Sequence, residues 1–340
     1  MRSDRPTLKD VATLSGFGLR TVKKVMSGDL SVREQTRLAV LQAANELQYT
    51  RNQAASALAR NRTVRIAAVY NNIIEDAYYP AVEQGFLNCE KELRDFGLAI
   101  EFCICSDPSP QFQHKTLETL LHREDIDGVV IEPYSGTALN DLIGQLTQAG
   151  KPVATFCSDA PESSRVCHVG SDGYKAGRIA SQILANYIGK EGKVYMLSSY
   201  SDHVQDTGRR QGFLDRLREH YPKIEPVMVD DSQGNFCQIV RQVVARGDVT
   251  GLYCTHARTV LAGKVLKELG RTDIPLVGFD LSEEGKTLMR EGYIKVIIEQ
   301  KPELFSYLAA KRLFLHIAEG QVPTEAEQTP LYVLTSECLD

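Results

Sequence analysis

Three basic side chains near the start of the chain could bind a nucleic acid. Arg20, Lys23 and Lys24 have the spacing that places side chains on one face of a helix. Guanidinium and ammonium groups on a short helix are donors that base edges and phosphates accept in the major groove of DNA. An ordinary helical subdomain with a solvated basic face is the alternative interpretation.

Two short amphipathic helices are predicted to carry these side chains. Between their apolar sets lies the turn 15–18, in which Gly16 can take the positive φ that ends a helix. Two short helices joined by so tight a turn form the helix-turn-helix pattern. The apolar positions are Leu8, Val11, Ala12 and Leu14 in the first helix and Leu19, Val22, Val25 and Met26 in the second.

A third helix is predicted to follow. Ser31 and Glu34 have the spacing of a capping box, with Ser31 as the N-cap. After this helix come Asn52 and the short, weakly amphipathic segment 53–59, which we expect to be disordered by itself. The apolar face predicted for the third helix comprises Val32, Leu38, Leu41, Ala44 and Leu47.

From Thr63 onwards, short buried strands alternate with helices. Four strands are predicted between 64 and 156, and the pattern then starts again with a strand at 166–169. It continues to a long helix at 302–319 and a short final strand at 332–334. The alternation predicts parallel βαβ units in two successive doubly wound α/β lobes. A ligand then belongs between the lobes, at the carboxyl ends of the strands.

The charge of the chain is divided unevenly along its length. Residues 1–62 hold eleven Lys and Arg against five Asp and Glu, whereas the rest holds twenty-eight against thirty-nine. A basic head on an acidic body is typical of a polyanion-binding module attached to a domain of different function.

Composition and motifs argue against several classes of protein. No stretch is long and apolar enough to span a membrane, and the N-terminus lacks the hydrophobic core of a signal peptide. We therefore expect a cytoplasmic protein with no membrane partner and with its eight cysteines reduced. Cys103 and Cys105 have no second ligand pair nearby, so we predict no metal site, and we expect no cofactor.

The alternative of an enzyme depends on one pair of residues. The sequence has no HExxH, GxSxG or GxxxxGK[ST] motif. Cys157 at a strand end and His256 across the cleft could form a nucleophile and its base. A small buried thiol explains Cys157 equally well, so we expect no enzyme.

The N-terminal segment resembles the LacI/GalR bacterial repressors. The resemblance lies in TLKDVA, the glycine turn, TV..V, a third helix ending in ELQY, Asn52 and the AxxLA of 55–59. It implies that Leu19 and Arg20 read bases, that Asn52 begins a hinge helix, and that Leu58 is wedged into the minor groove, where unstacking is offset by added contact. The full set of DNA-contacting residues that it implies is Thr7, Leu19, Arg20, Thr21, Lys23, Lys24, Asn52, Ala55 and Leu58.

The head departs from the family pattern in four places. The usual Val-Ser after the turn glycine is Phe17-Gly18, and the usual Ser-Arg inside the second helix is Lys23-Lys24. The usual Pro before the hinge Asn is Arg51, and the usual hinge Arg is Ser56. The family's standard operator sequence is therefore not expected for this chain.

The body resembles the type I periplasmic-binding-protein fold, which forms the effector domain of the same repressors. The match lies in the loop motifs IEP (131–133), PVATFCSDAP (152–161), VGSDGYKAG (169–177), RRQGF (209–213), VGFD (277–280) and IIEQKP (297–302). It implies a ring of polar side chains around a sugar or polyol, with aromatic side chains covering the apolar face of the ligand. The ligand-binding residues implied are Tyr78, Tyr79, Phe156, Cys157, Asp172, Arg209, His256, Asp280 and Gln300.

Several of these positions have a second interpretation. Asp172 and Asp280 could each be the N-cap of the helix that follows. Arg209 is predicted in the first turn of a helix, where the dipole disfavours a cation, so we expect it to face an acceptor-rich partner. The common Asp-Arg after the fourth strand is Cys157-Ser158 here, the usual Asn-Asp is His256-Ala257, and an expected Asn is Gly173. A neutral sugar, a polyol or a substituted derivative all remain open.

These observations predict a dimeric transcriptional regulator, a repressor, that binds operator DNA and a small carbohydrate-like effector. A sugar-binding protein or a cleft enzyme without a regulatory role is the alternative. The predicted domains are a helix-turn-helix head at 1–50, a hinge at 51–62 and an effector domain at 63–340. The first lobe is expected at about 63–165 plus 301–328, and the second at about 166–300 plus 329–340.

Overall fold

The computed structural model describes residues 6–26, 32–47, 63–71, 78–105, 109–198, 202–231 and 235–339. At the N-terminus it has three short helices: α1 (Leu8–Ser15), α2 (Leu19–Met26) and α3 (Glu34–Glu46). Gly16 has φ 73° and ends α1, as its position in the turn predicts. The buried core of this head consists of Val11, Val22, Val25, Val40, Ala43 and Ala44.

The capping box predicted for the third helix is wrong. The helix begins at Glu34, and its N-cap residue Arg33 makes no side-chain capping hydrogen bond, while Ser31 lies outside the described residues. A capping box is found instead on α1. There the Thr7 hydroxyl accepts the N–H of Asp10, and the Asp10 carboxylate accepts the N–H of Thr7 at 2.7 Å.

The apolar face predicted for the third helix is wrong in part. Leu38 and Leu41 are 58% and 44% exposed, whereas Val40, Ala43 and Ala44 are buried. At about 100° per residue, Leu38 lies on the side of α3 opposite Val40, and Leu41 lies on its flank. A head of three short helices buries one face of α3, and packing against α1 and α2 selects the face with the smaller side chains.

The body contains two six-stranded sheets, which confirms the predicted α/β architecture of two lobes. In the first sheet the strand order is β11-β5-β4-β3-β1-β2, and all of its pairings are parallel. Its strands are β1 (Val64–Asn71), β2 (Leu98–Cys105), β3 (Gly128–Ile131), β4 (Val153–Phe156), β5 (Cys167–Ser171) and β11 (Ala326–Thr329).

The second sheet has the order β12-β10-β9-β8-β6-β7, with β12 antiparallel to β10 and the other pairs parallel. Its strands are β6 (Gly192–Ser198), β7 (Ile224–Asp230), β8 (Gly251–Cys254), β9 (Leu276–Phe279), β10 (Val296–Glu299) and β12 (Tyr332–Leu334). The chain therefore crosses between the lobes three times: after β5, after β10 and after β11.

The strand at 166–169, predicted to open the second lobe, belongs to the first. Residue Ala154 of β4 pairs with Cys167, and Glu327 of β11 pairs with Val169 on the other side. The first lobe thus extends beyond residue 165, and the chain leaves it only after Ser171. A buried run of this length looks the same in either sheet, so the sequence alone did not distinguish them.

Helices cover both faces of each sheet. In the body they are α4 (Tyr78–Leu93), α5 (Pro110–Leu121), α6 (Asn140–Gln148), α7 (Gly173–Tyr187), α8 (Val204–His220), α9 (Phe236–Ala245), α10 (Thr259–Glu268), α11 (Glu283–Arg290) and α12 (Pro302–Glu319). Helices α7 and α8 approach so closely that a Cβ on Gly212 would lie 1.9 Å from the carbonyl oxygen of Tyr174. This contact fixes the position of α8, whose N-terminal half borders the cleft. Among the described residues, no helix is long and apolar enough to cross a membrane.

Candidate functional site

Polar side chains meet where parallel strands of both sheets end. Glu132 follows β3 and Cys157 follows β4 in the first lobe, while Asp280 follows β9 and Gln300 follows β10 in the second. The carboxyl ends of parallel strands are the usual place for a ligand in α/β proteins. All four side chains are buried, so a ligand in contact with them would be largely enclosed.

Gln300 is the centre of a hydrogen-bond network that joins the two sheets. Its amide oxygen accepts from Arg209 Nη2 at 2.6 Å and from the Ser171 hydroxyl at 2.9 Å, and its amide nitrogen donates to Asp280 Oδ1 at 2.9 Å. Gln205 Nε2 donates to the Ser171 carbonyl and hydroxyl, both at 2.9 Å. Because Ser171 ends a strand of the first sheet, this network fixes the geometry of the crossing between lobes.

Arg209 is enclosed by acceptors and by an aromatic ring. Its Nη1 donates to the carbonyl oxygen of Thr255 at 2.5 Å, and its guanidinium carbon lies 3.9 Å from the ring centroid of Phe279. A carboxylate oxygen of Asp206 is 3.7 Å away. Arg209 is buried, with an exposed fraction of 4%. Its Nε nevertheless has no hydrogen-bond partner in the described part of the chain. That N–H is available to a ligand.

Arg209 does not lie in the first turn of its helix, so that prediction is wrong. Helix α8 begins at Val204, three residues earlier than the predicted start at Thr207, and Arg209 lies in its second turn. The helix dipole acts mainly on the first turn. The position of the guanidinium therefore follows from its protein acceptors rather than from repulsion by the helix terminus.

Glu132 is a cleft residue that the sequence reasoning missed. Its Oε1 accepts the Tyr78 hydroxyl at 2.9 Å, whereas its Oε2 is buried and lacks a hydrogen-bond partner among the residues described. Burial raises the pKa of Glu132 to about 7, although the hydrogen bond from Tyr78 favours the charged form. A hydrogen bond from the Cys157 thiol also favours the charged form, while Asp206 of the second lobe raises this pKa and Arg209 lowers it. The sequence signal that could have identified Glu132 is its place directly after a buried strand, in the IEP motif.

Cys157 lies beside this carboxyl and has a left-handed backbone, with φ 55°. Burial raises the pKa of its thiol well above the ordinary value, which makes it a poor nucleophile at neutral pH. His256 pairs instead with Asp231, whose Oδ2 is 2.5 Å from its Nε2, and with the Cys254 sulfur, 3.5 Å from its Nδ1. Within the described part of the chain, the hydrogen bonds of His256 thus join it to Asp231 and Cys254 rather than to Cys157, which does not favour the nucleophile–base pair of the enzyme alternative.

The predicted aromatic side chains differ in their surroundings. Tyr78 and Tyr79 are edge to face, with ring centroids 4.9 Å apart, and Tyr78 contacts the cleft through Glu132. Phe156 is fully buried and packs edge-on against Phe86 in the core of the first lobe. Stacking of these rings on a ligand stays a prediction, and Phe156 is the least accessible of the three.

The two aspartates with capping alternatives behave differently. Asp172 is the N-cap of α7 and accepts the N–H of Lys175 at 2.9 Å. The cap of α11 is Ser282, so the capping alternative for Asp280 is wrong. Asp280 has φ 65° and a buried carboxylate that accepts from Gln300. A left-handed non-glycine residue at a strand end is strained, and such strain is common at binding sites.

A basic surface lies on α2 of the head. Arg20, Lys23 and Lys24 are exposed along it, while Leu19 and Thr21 are partly buried. The Thr7 hydroxyl donates to Asp10 at 2.6 Å as part of the α1 cap. Three further residues predicted to contact DNA, namely Asn52, Ala55 and Leu58, lie outside the described residues.

Comparison with known proteins agrees with this division into a head and a body. A family model described as "Bacterial regulatory proteins, lacI family" matches residues 7–52, and one described as "Periplasmic binding protein domain" matches residues 66–321. The chain belongs to the periplasmic-binding-protein domain family over most of its length and carries a LacI-family helix-turn-helix domain at its N-terminus. The resemblance inferred from the sequence motifs is thereby confirmed.

The relatives and solved structures that are similar to this chain cover most of its length. The sucrose operon repressor of Pediococcus pentosaceus is 24% identical over 332 residues, which cover 96% of each chain. The transcriptional regulator CelR of Thermobifida fusca is 29% identical over 295 residues, 82% of this chain and 83% of that protein. The glucose-galactose binding protein GanP of Geobacillus stearothermophilus superposes with a TM-score of 0.73 at 24% identity, covering 82% of this chain and 99% of the other.

Proposed function

We propose that this LacI-family protein is a transcriptional repressor whose affinity for its operator changes when a small polyhydroxyl ligand binds between the two lobes. The observation that carries the proposal is the network of Arg209, Gln300 and Ser171, which joins both sheets at the site where a ligand would bind. A ligand that hydrogen-bonds to this network would change the closure of the lobes. In typical allosteric systems such coupling amounts to about 1–3 kcal/mol.

The DNA-binding part of the proposal rests on the head. The exposed Arg20, Lys23 and Lys24 on α2 suit the major groove, and the LacI model matches this segment. We assign DNA binding to residues 1–50, the hinge to 51–62 and ligand sensing to 63–340. A homodimer in the cytoplasm fits this assignment, since helix-turn-helix proteins usually bind two half-sites as dimers.

An enzymatic role is not part of this proposal. The LacI-family relatives are named as regulators, and His256 has Asp231 and Cys254 as its partners rather than Cys157. A ligand-binding protein without a regulatory role is the second candidate, because the body superposes on a sugar-binding protein. That second candidate does not account for the basic surface of α2.

The test uses full-length protein and a duplex selected by it from a random DNA library. A thermal-shift screen against sugars, polyols and sugar acids identifies the ligand, and fluorescence anisotropy then measures the duplex Kd with and without that ligand. A ligand-dependent Kd supports the repressor. Stabilisation by a ligand without any selected duplex would support the second candidate instead.

A further inference from the structure

The cleft holds more acidic than basic groups. Glu132 faces it from the first lobe, and Asp206 and Asp280 face it from the second, against Arg209 as the one buried guanidinium described there. Burial lowers the pKa of His203, the nearby imidazole, so it is neutral at pH 7. Carboxylates that face a cleft can accept hydrogen bonds from ligand hydroxyls or from an ammonium group, and an ammonium group also compensates their charge.

Charged groups at the edge of the cleft do not offset this surplus. A cavity of about 240 Å³ lies beside Tyr78 and Asp280, and two lysines line it. Lys286 is 2.6 Å from Glu283, and Lys301 is 4.0 Å from Glu303. Glu299, a further acid of this cavity, accepts backbone N–H groups of Leu281, Gln300 and Lys301.

One carboxylate oxygen lacks the donor that burial requires. Glu132 is 5% exposed, and the Tyr78 hydroxyl reaches only its Oε1. Its Oε2 has no hydrogen bond within the described ranges, although an unpaired buried polar atom is costly. The guanidinium of Arg209 could have neutralised it, but its Nη groups donate to Thr255 and Gln300.

The nature of the missing donor follows from the charge. With a pKa of about 7, Glu132 is only partly ionised at pH 7, and a ligand hydroxyl that donates to Oε2 would do nothing to favour the ionised form. An ammonium group supplies both the donor and the compensating charge, and hydrogen bonds between ionised partners are the strong ones. The unpartnered Arg209 Nε and the Ser158 hydroxyl, also without a partner in the described chain, suit ligand hydroxyls.

We propose that the effector is a polyhydroxylated amine, such as an amino sugar or an amino polyol, whose ammonium group binds Glu132. This inference rests on the proposed function, because it names the class of ligand for the same cleft. Glu132 acts as the specificity-determining residue for the amine, while Arg209, Asp280 and Gln300 bind hydroxyl groups.

The test compares ligands that differ only in the amine. Full-length protein is titrated calorimetrically at pH 7 with glucosamine, galactosamine, mannosamine and 1-amino-1-deoxysorbitol, and with glucose, galactose, mannose and sorbitol as their hydroxyl counterparts. At least one amine is expected to bind about tenfold or more tightly than its counterpart, as a charged hydrogen bond implies. The Glu132→Gln variant is expected to lose that preference, so that its affinities for the amine and for the neutral counterpart become about equal.

Two further measurements keep the outcomes distinct. The Glu132→Asp variant retains the charge and is expected to retain part of the preference, and a cooperative urea-unfolding transition of each variant shows that its body is folded. Equal affinity for amine and neutral counterpart, or an amine preference that survives in Glu132→Gln, would overturn this inference but leave a sugar-responsive repressor standing. No binding of any amine or neutral compound would overturn both this inference and the proposed ligand class.

Discussion

The Ser135 hydroxyl of the first lobe donates a hydrogen bond of 2.5 Å to Asp202 Oδ2 of the second lobe. The backbone N–H of Gly136 also donates to the Asp202 carbonyl, at 3.3 Å. Gly136 approaches the second lobe so closely that a Cβ there would lie 2.8 Å from Val204 Cγ2. The lobes therefore meet directly on the side where α8 begins.

Removing this contact should weaken ligand binding without touching the ligand. In Asp202→Ala, loss of the interlobe hydrogen bond should shift the lobes towards an open state and weaken ligand binding by about three- to tenfold. Calorimetric titration with the best ligand of the screen measures the change. Asp202→Asn, which keeps an acceptor, is the matched control and should lose less. Equal affinities for Asp202→Ala and the unmodified protein would show that the contact does not influence closure.

The stability of the protein without ligand should depend on Glu132 in a defined pH range. The pKa of this carboxyl is raised from 4.5 to about 7 by burial, so the folded state favours the protonated form. The contribution of this protonation to the free energy of unfolding is fully present below pH 4.5 and is lost as the pH rises through about 7. It amounts to about 3 kcal/mol. Asp206, Arg209, Tyr78 and Cys157 are the titratable or charged groups that act on it.

Urea unfolding between pH 4.5 and 8 checks this prediction. The unfolding free energy of the unmodified protein should fall with pH more steeply than that of Glu132→Gln, which cannot ionise. Parallel pH profiles would mean that the carboxyl titrates alike in the folded and unfolded states.

Arg209→Lys should destabilise the body and abolish the ligand response. The guanidinium reaches Thr255 and Gln300 at the same time, and an ammonium group cannot reproduce this fork. We expect a loss of about 1–3 kcal/mol in the unfolding free energy, since buried acceptors lose a charged donor. Arg218→Lys is the control on the same helix, because Arg218 is exposed and pairs with Asp215 one turn away. Similar small losses in both variants would contradict the central place of Arg209 in the network.

Arg20→Ala should change which sequences the protein prefers more than how tightly it binds DNA in general. An exposed side chain on α2 that reads base edges affects specificity, whereas phosphate contacts carry most of the non-specific affinity. Affinity for the selected duplex should fall by about 1–3 kcal/mol, with little change in the salt dependence of non-specific binding. A uniform loss for all sequences, with a salt slope lower by about one, would make Arg20 a phosphate contact.

The sequence predicted the alternation of strands and helices because buried β-branched runs and amphipathic helices have different periods. It failed where the choice depended on tertiary packing. Strand β5 could have joined either sheet, and the face of α3 with Leu38 and Leu41 was more apolar than the face that packs. Both outcomes are decided by neighbours distant in sequence.

The candidate site was predictable for residues at strand ends and less so for their partners. Asp280 and Gln300 are at the predicted positions and contact each other. Glu132 escaped notice because its significance lies in an unpaired oxygen facing the other lobe, which no local pattern reveals. Arg209 was predicted as a site residue because it was expected in the first turn of a helix. That reason fails because α8 begins at Val204, but the buried hydrogen bonds of Arg209 still place it in the site.

The most direct test of the account measures the affinity of full-length protein for its selected duplex in the absence and presence of saturating ligand. Fluorescence anisotropy should give Kd values that differ by about 5- to 150-fold, the range expected for a coupling of about 1–3 kcal/mol. The difference should vanish in Arg209→Lys while the affinity without ligand stays measurable. The same Kd with and without a ligand that demonstrably binds the body would contradict control of the operator by the cleft.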